Sequence, residues 1–473
     1  MQRPSLHLLS TLALTLSLLL PATAASAAAP AATPVAEVLQ QRTARFFEGA
    51  QPGGVVLVRR GDAVLLRQAY GLADVENAVP MRPEGVFRLA SATKQFTAMA
   101  ILQLVQAGTL QLDQTLASID PTLPSAIGAV TLRQLLTHTS GITNISRIAE
   151  SRAARRNEAS AQDLLGFFKD LPLEFAPGSQ FSYSNSNYIL LTRVIELASG
   201  ASYPDYLQRA IFGPLGMAAT RYGSHTAMIR NRVQGYQHDD DGQLLNADFI
   251  SMTQPQGAGG LVTTVDDLAR WDAALRGDRL VREALLDEAF RKVRLADGSE
   301  QPYGFGWIVS QVQDRPSVEH SGFINGFNAY VLRVPAQQVF VAILTNAEFL
   351  DPADLAVELA AIALERPYDK TPAADDAGDA WLGRYDFGDG VQRDILRVDG
   401  ALHSQRVGAD PIALVHARDG RHYLGEALDH VSFARDARDR ATMTLHNRLL
   451  GDSVGVRLAA ADTSAPAPGV ATP

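Results

Sequence analysis

Arg88-Leu-Ala-Ser-Ala-Thr-Lys-Gln-Phe96 leads into apolar residues Phe96, Met99, Ala100, Leu102, Leu104 and Val105, which recur with broadly helical spacing up to Gly108. This predicts a helix over Lys94–Ala107, with Ser91 at its start and Lys94 one turn along on the same face. A serine hydroxyl is a poor nucleophile until a base takes its proton. Lysine can be that base where burial lowers its pKa from about 10.4, whereas arginine stays protonated. Only four of the 42 basic residues are lysines (Lys94, Lys169, Lys292 and Lys370). Position 94 is therefore one where arginine would not have served the same chemistry. A helix start also offers free N–H groups and positive potential to developing negative charge. Read alone, the same residues fit a serine cap beside a solvated lysine.

On either side of this stretch the chain reads as mixed helix and strand. Gly54–Arg59 and Ala63–Tyr70 flank Arg60-Gly61-Asp62, and Asn328–Val334 and Gln338–Thr345 flank Pro335-Ala336, two hairpin signals far apart in sequence. Between them lie helical patterns at Ser186–Ala198, closed by Gly200, and at Thr264–Leu275, where Thr264 is an N-cap candidate. The expected fold class is α/β (α+β): an antiparallel sheet flanked by helices with a mostly helical insertion, over residues 36–366. A linker at 367–380 follows. Residues 381–458 then show short strands with turn signals at Asp389-Gly390, Asp399-Gly400 and Asp419-Gly420, the pattern of a small antiparallel barrel or sandwich. The tail 459–473 lacks the apolar content to fold.

Residues 1–27 read as a signal peptide: Arg3, the apolar run Leu8–Leu20, then small residues up to Ala27. That run is too short for a spanning helix, so no stable membrane anchor is expected after cleavage, and the mature protein is expected in the periplasm or medium. The 473-residue chain contains no cysteine and carries a net charge of -9. These exclude disulfides, thiolate metal sites and a cysteine nucleophile, and give no electrostatic reason to expect nucleic acid.

Two further clusters bear chemistry. Phe181-Ser-Tyr-Ser-Asn-Ser-Asn-Tyr188 places Tyr183 and Asn185 two residues apart on a loop. A tyrosine there can relay a proton if a nearby ammonium lowers its pKa, and an amide can hold a carbonyl, although the loop taken alone reads first as a polar turn whose residues cap the helix. Glu319-His-Ser-Gly-Phe323 puts a glycine beside His320 and Ser321, where backbone amides can approach an oxyanion. The alternative is a strand entering a tight turn.

In this order, S-x-x-K, Y-x-N and H-S-G resemble the serine β-lactamase and penicillin-binding-protein superfamily, within it the branch of class C β-lactamases, D,D-carboxypeptidases, D-aminopeptidases and related esterases. Leu135–Ile142, Gly259–Trp271 and Tyr303–Trp307 also look familiar. The resemblance implies that Ser91 is acylated, Lys94 activates it, Tyr183 relays a proton to the leaving group and Asn185 orients the substrate amide. His320, Ser321 and Gly322 take the place of a K-T-G strand that binds substrate, and the N–H groups of Ser91 and Phe323 form the oxyanion hole. One departure matters: the branch's efficient β-lactamases have lysine where this chain has His320. The expected function is an exported serine hydrolase of D-amino-acid peptides or amides. A carboxylesterase, a weak β-lactamase, and a non-catalytic protein that binds penicillin or cell-wall fragments are the alternatives. Its partners would be small peptides, amides, esters or β-lactams. No cofactor or metal is expected, and the oligomeric state stays open.

Other motifs carry less. Gly451-Asp-Ser-Val-Gly455 fits G-x-S-x-G but has no histidine after it. His238-Asp-Asp-Asp-Gly242 lacks the alternating ligands of a calcium loop. His416, His422 and His430 show no ligand spacing, and His138 is expected to be structural, beneath the site.

Overall fold

Gly54-Val-Val-Leu-Val58 is buried on both faces, so β1 (Gly54–Arg60) has no solvent side over most of its length. A computed structural model of the chain describes residues 34–49, 51–374, 378–388 and 390–458. The expected signal peptide 1–27 and tail 459–473 lie outside the described residues, as does a part of the expected linker (375–377). β1 pairs with β2 (Ala63–Tyr70); β3 (Ile308–Val312), β4 (Arg315–Ile324), β5 (Phe327–Val334) and β6 (Val339–Thr345) complete one antiparallel sheet in the order β3-β4-β5-β6-β1-β2. The joint is β1 against β6, from Gly54 opposite Thr345 to Arg60 opposite Val339. Both predicted hairpins are present, and residues 71–307 form the mostly helical insertion between them.

The flanking helices are α1 (Pro34–Phe46), α2 (Lys94–Gln106), α3 (Asn185–Ser199), α4 (Val265–Ala274) and α5 (Ala353–Ala363). Period-2 alternation sorts the strand residues between them. Val56, Val58, Val341 and Ile343 pack with Leu39 of α1 and Leu359 of α5. Val55, Leu57, Ala342 and Leu344 face the other way, into the core that holds α2, α3 and α4. The sheet is thus the middle of three layers. α2 is buried nearly all round rather than amphipathic, from Lys94 to Leu102, which is what a helix at the centre of a core requires. Thr264 caps α4 as predicted, its Oγ1 accepting the Asp267 N–H at 3.2 Å.

The C-terminal strands form a closed antiparallel barrel: β7 (Gly383–Asp386), β8 (Gln392–Val398), β9 (Ala401–Arg406), β10 (Ile412–His416), β11 (His422–Leu424), β12 (His430–Arg435), β13 (Ala441–Asn447) and β14 (Gly451–Arg457). The β8–β9 turn has Asp399 at φ +49° and Gly400 at φ +82°, the two left-handed residues that a tight two-residue hairpin demands. The barrel is seated on the body: Ala417, Tyr423 and Leu428 join the core under α5.

The lesser motifs resolve simply. Ser453 lies inside β14, paired with Leu445, with no strand–turn–helix elbow. Asp239 accepts the N–H groups of Asp241 and Gln243 in a hairpin turn. His416 stacks on His422, and His430 on His446. Among the described residues no cluster is arranged to hold a metal, and no helix is long and apolar enough to cross a membrane.

Candidate active site

The approach to α2 is a 3-10 turn, Ala90–Thr93, and neither it nor α2 is capped by a side chain. Ser91 is therefore not spent as a helix cap. Ala90 takes φ +50°, a left-handed conformation that costs a non-glycine residue roughly 1–3 kcal/mol. Such strain persists only where the surrounding packing fixes it.

Lys94 is fully buried, not solvated. Its Nζ lies 2.9 Å from Asn185 Oδ1, 2.8 Å from the Ala258 carbonyl and 3.2 Å from Ser91 Oγ. Burial holds its pKa well below the ordinary lysine value. A neutral amine has two N–H donors and one lone pair. With the amine neutral, the two oxygens take its donors and the lone pair is left for the Ser91 hydroxyl proton. An arginine in this space would keep its charge and offer no lone pair.

The Tyr183 hydroxyl lies beside Ser91, and the tyrosine ring centroid is 4.8 Å from Lys94 Nζ. Burial pushes the phenol above its usual range. Burial thus favours the neutral amine and the neutral phenol beside Ser91, the first suited to accept a proton and the second to give one. This corrects the simplest form of the relay idea, in which an ammonium lowers the tyrosine pKa.

The loop that carries Tyr183 rests on Leu135–Ile142. Ser182 N–H donates to the His138 carbonyl, and Ser184 N–H to His138 Nδ1 at 3.2 Å. The Tyr188 hydroxyl donates to the Leu136 carbonyl at 2.9 Å, and the His138 ring packs 4.3 Å from that of Tyr183. His138 is wholly buried beneath the site. Asn185 starts α3; its amide nitrogen donates to Ser146 Oγ at 3.0 Å, which aims its oxygen at Lys94.

The third cluster lies on β4. Gly322 fits where nothing larger can: a Cβ there would come within 2.3 Å of the Leu89 carbonyl oxygen. That close approach brings the strand against the Leu89–Ser91 segment. The two-residue turns at both ends of β4 settle which way each residue's backbone faces, since alternate residues bond to the same neighbour. His320, Gly322 and Ile324 bond to β5, whereas Glu319, Ser321 and Phe323 face the other edge. β3 covers that edge only as far as Ile308 opposite Glu319. Ser321 and Phe323 therefore turn their N–H and C=O groups to an open edge, where among the described residues the Ser321 carbonyl meets only the His320 ring, and Phe323 lines the same cavity as Ser91.

His320 is placed otherwise than its position in the motif implies, since it does not line the cavity that holds Ser91. It is 2% exposed, with Nε2 2.9 Å from the Tyr303 hydroxyl and Nδ1 2.6 Å from the Ser321 carbonyl. That carbonyl can only accept, so the proton sits on Nδ1 and Tyr303 donates to Nε2. Burial pushes its pKa down to about 3. It is an uncharged prop for the strand. The Ser321 side chain points away from Ser91 into a different cavity, which leaves only its backbone at the open edge.

Sequence reasoning missed the partners that make these residues work. Tyr303 sits in the noted Tyr303–Trp307 stretch, but nothing signalled its bond to His320. Ala258 contributes only a carbonyl, which carries no residue-type signal. Arg448, on the β13–β14 turn of the barrel, enters the body to meet Glu319 at 2.5 Å and the Tyr330 hydroxyl at 3.1 Å. Glu319 is completely buried.

A model of the beta-lactamase family matches residues 35–365. The chain belongs to that family. It is a serine hydrolase of the β-lactamase and penicillin-binding-protein kind. It is 29% identical to a penicillin-binding protein of Bacillus subtilis over 413 residues, 82% of this chain and 91% of that protein. A D-aminopeptidase of Gluconobacter oxydans is 27% identical over 67% of this chain, which spans only 60% of that protein's length. The solved D-amino acid amidase of Ochrobactrum anthropi, bound to L-phenylalanine amide, superposes with a TM-score of 0.61 at 25% identity, covering 70% of this chain and 98% of its own.

Proposed function

We propose that the protein is an exported hydrolase of D-amino-acid peptides or amides, acting through an acyl-enzyme on Ser91. The observation that carries the reading is the fully buried Lys94, its pKa lowered by burial, with Nζ 3.2 Å from the Ser91 hydroxyl. Lys94 takes the proton as Ser91 Oγ attacks the carbonyl, and the N–H groups of Ser91 and Phe323 receive the oxyanion. Tyr183 gives its proton to the leaving nitrogen and regains one through Lys94. Asn185 holds the substrate amide, whose backbone lies along the open edge of β4 in the manner of an added strand. No carboxylate lines the cavity with Ser91, so the same Lys94–Tyr183 pair activates the water that releases the acyl group. D-specificity is supported by the likeness to a D-aminopeptidase and a D-amino acid amidase, and export by the signal-like residues 1–27.

A serine-directed fluorophosphonate should label the wild type and fail to label Ser91→Ala; equal labelling of both would overturn the reading. Turnover of D-Ala-D-Ala peptides in preference to p-nitrophenyl esters would support the peptide substrate, and ester turnover alone would demote it. The esterase reading is favoured by one observation, the lack of a cation at His320.

The pH dependence has a definite sign. Protonation of Lys94 fills the lone pair, so kcat/KM should fall as the pH drops through the Lys94 pKa. His320, down at about 3, contributes no limb above roughly pH 5. The midpoint of the acid limb should therefore be the same in wild type and His320→Gln, and a displaced midpoint would show that the histidine titrates with the reaction.

A further inference from the structure

Ser91 opens onto a cavity of about 270 Å³ whose charge is one-sided. Ile145, Ile189, Ile250 and Phe323 make its apolar wall, and among the described residues the only ionisable side chains lining it are Arg152 and Arg155. Arg155 is committed, with Nη2 3.0 Å from Asp248 Oδ2. Arg152 sits on the short helix Ala149–Ala154 of the insertion, exposed, and its guanidinium has no ion pair or hydrogen bond among the described residues. The other basic groups near Ser91 are turned to the protein rather than to a ligand: Lys94 is fully buried among Ser91, Asn185 and Ala258, His320 is buried against Tyr303, and Arg88 donates to the Asn325 carbonyl at 3.1 Å.

From this arrangement we infer that Arg152 is the binding site for a free carboxylate of the substrate, a role that the third motif cannot fill in this chain. The inference rests on Ser91 being the reacting group and deepens that reading. A guanidinium offers a planar pair of donors matched to a carboxylate, and beside an apolar wall the contact is less screened than in open water. The same one-sidedness argues against a free α-ammonium inside this cavity, where no acidic side chain awaits it. Within the D-peptide class the substrates that fit are those with an anionic end in the cavity and an acylated or distant N-terminus.

The test measures protection of Ser91 from fluorophosphonate labelling by N-acetyl-D-alanyl-D-alanine and by its C-terminal amide. Wild type, Arg152→Gln and Arg152→Lys are compared. Arg152 is exposed, so none of these changes threatens the fold, and protection is read relative to each variant's own labelling without protectant. In wild type the free acid should protect at lower concentration than the amide. In Arg152→Gln the concentration of acid needed should rise roughly 10- to 100-fold, with the amide unchanged and lysine restoring part of the difference. Where a peptide is turned over, the change should appear in KM rather than kcat. Equal losses for acid and amide, no change, or no preference for the acid in wild type would overturn the inference while leaving Ser91 as nucleophile intact. A wild type that does not label at all would overturn both.

Discussion

Lys94→Arg should lose about 10²- to 10⁴-fold in the rate of Ser91 acylation, the range expected when a positioned general base is removed. The substitution keeps a basic residue in a protein that uses arginine for nearly every other positive charge. It removes the one property that matters here, the ability to exist without a proton. Arginine would also place a permanent charge where Lys94 is fully buried, so loss of stability must be separated from loss of chemistry. Lys94→Met does so: it is neutral, close in shape, and leaves only the Asn185 oxygen and the Ala258 carbonyl short of a donor. Both variants should label slowly with fluorophosphonate, while Lys94→Met keeps a melting temperature closer to wild type. A Lys94→Arg enzyme that retained a tenth of the wild-type rate would show that the base lies elsewhere.

Arg448→Met should destabilise the body by about 3–5 kcal/mol, although Arg448 belongs to the barrel. Breaking one partner of a buried ion pair strands the other, and Glu319 has no solvent to fall back on. Glu319 immediately precedes His320 on β4, so the damage should reach the strand that carries the Phe323 N–H and lower kcat as well. Pairing the change with Glu319→Gln removes the stranded charge, and the double variant should recover much of the stability that the single variant loses. Urea denaturation followed by tryptophan fluorescence reads the effect, since Trp271 and Trp307 are buried in the body. A loss under about 1 kcal/mol in Arg448→Met would mean that the pair is not coupled to the fold.

The limits of sequence reading follow from the same residues. The continuous apolar runs of β1 and β6 announce strands because their side chains must bury on two faces. The start of α2 is legible from the spacing of Ser91, Lys94 and the apolar residues after them. The barrel's turns are legible because Asp399-Gly400 needs left-handed backbone that few other pairs accept. What stayed hidden was of another kind. His320 reads as a binding residue in its motif, but whether it faces a ligand depends on Tyr303 and on which edge of β4 is left open. Arg152 and Arg448 look like two more of 38 arginines until one is found unpaired beside Ser91 and the other buried against Glu319.

By itself the amino-acid sequence determined the elements, the two hairpins destined for one sheet, the residue types of the site and the choice of lysine over arginine at position 94. Those follow from local periodicity, backbone preference and the proton chemistry of single side chains. Only the tertiary structure decided that Lys94 is buried with a lowered pKa, that His320 is buried against Tyr303 and that the barrel reaches into the body. Ionisation and accessibility are set by burial and by partners such as Ala258, 164 residues away from Lys94. Nothing in the local sequence records them.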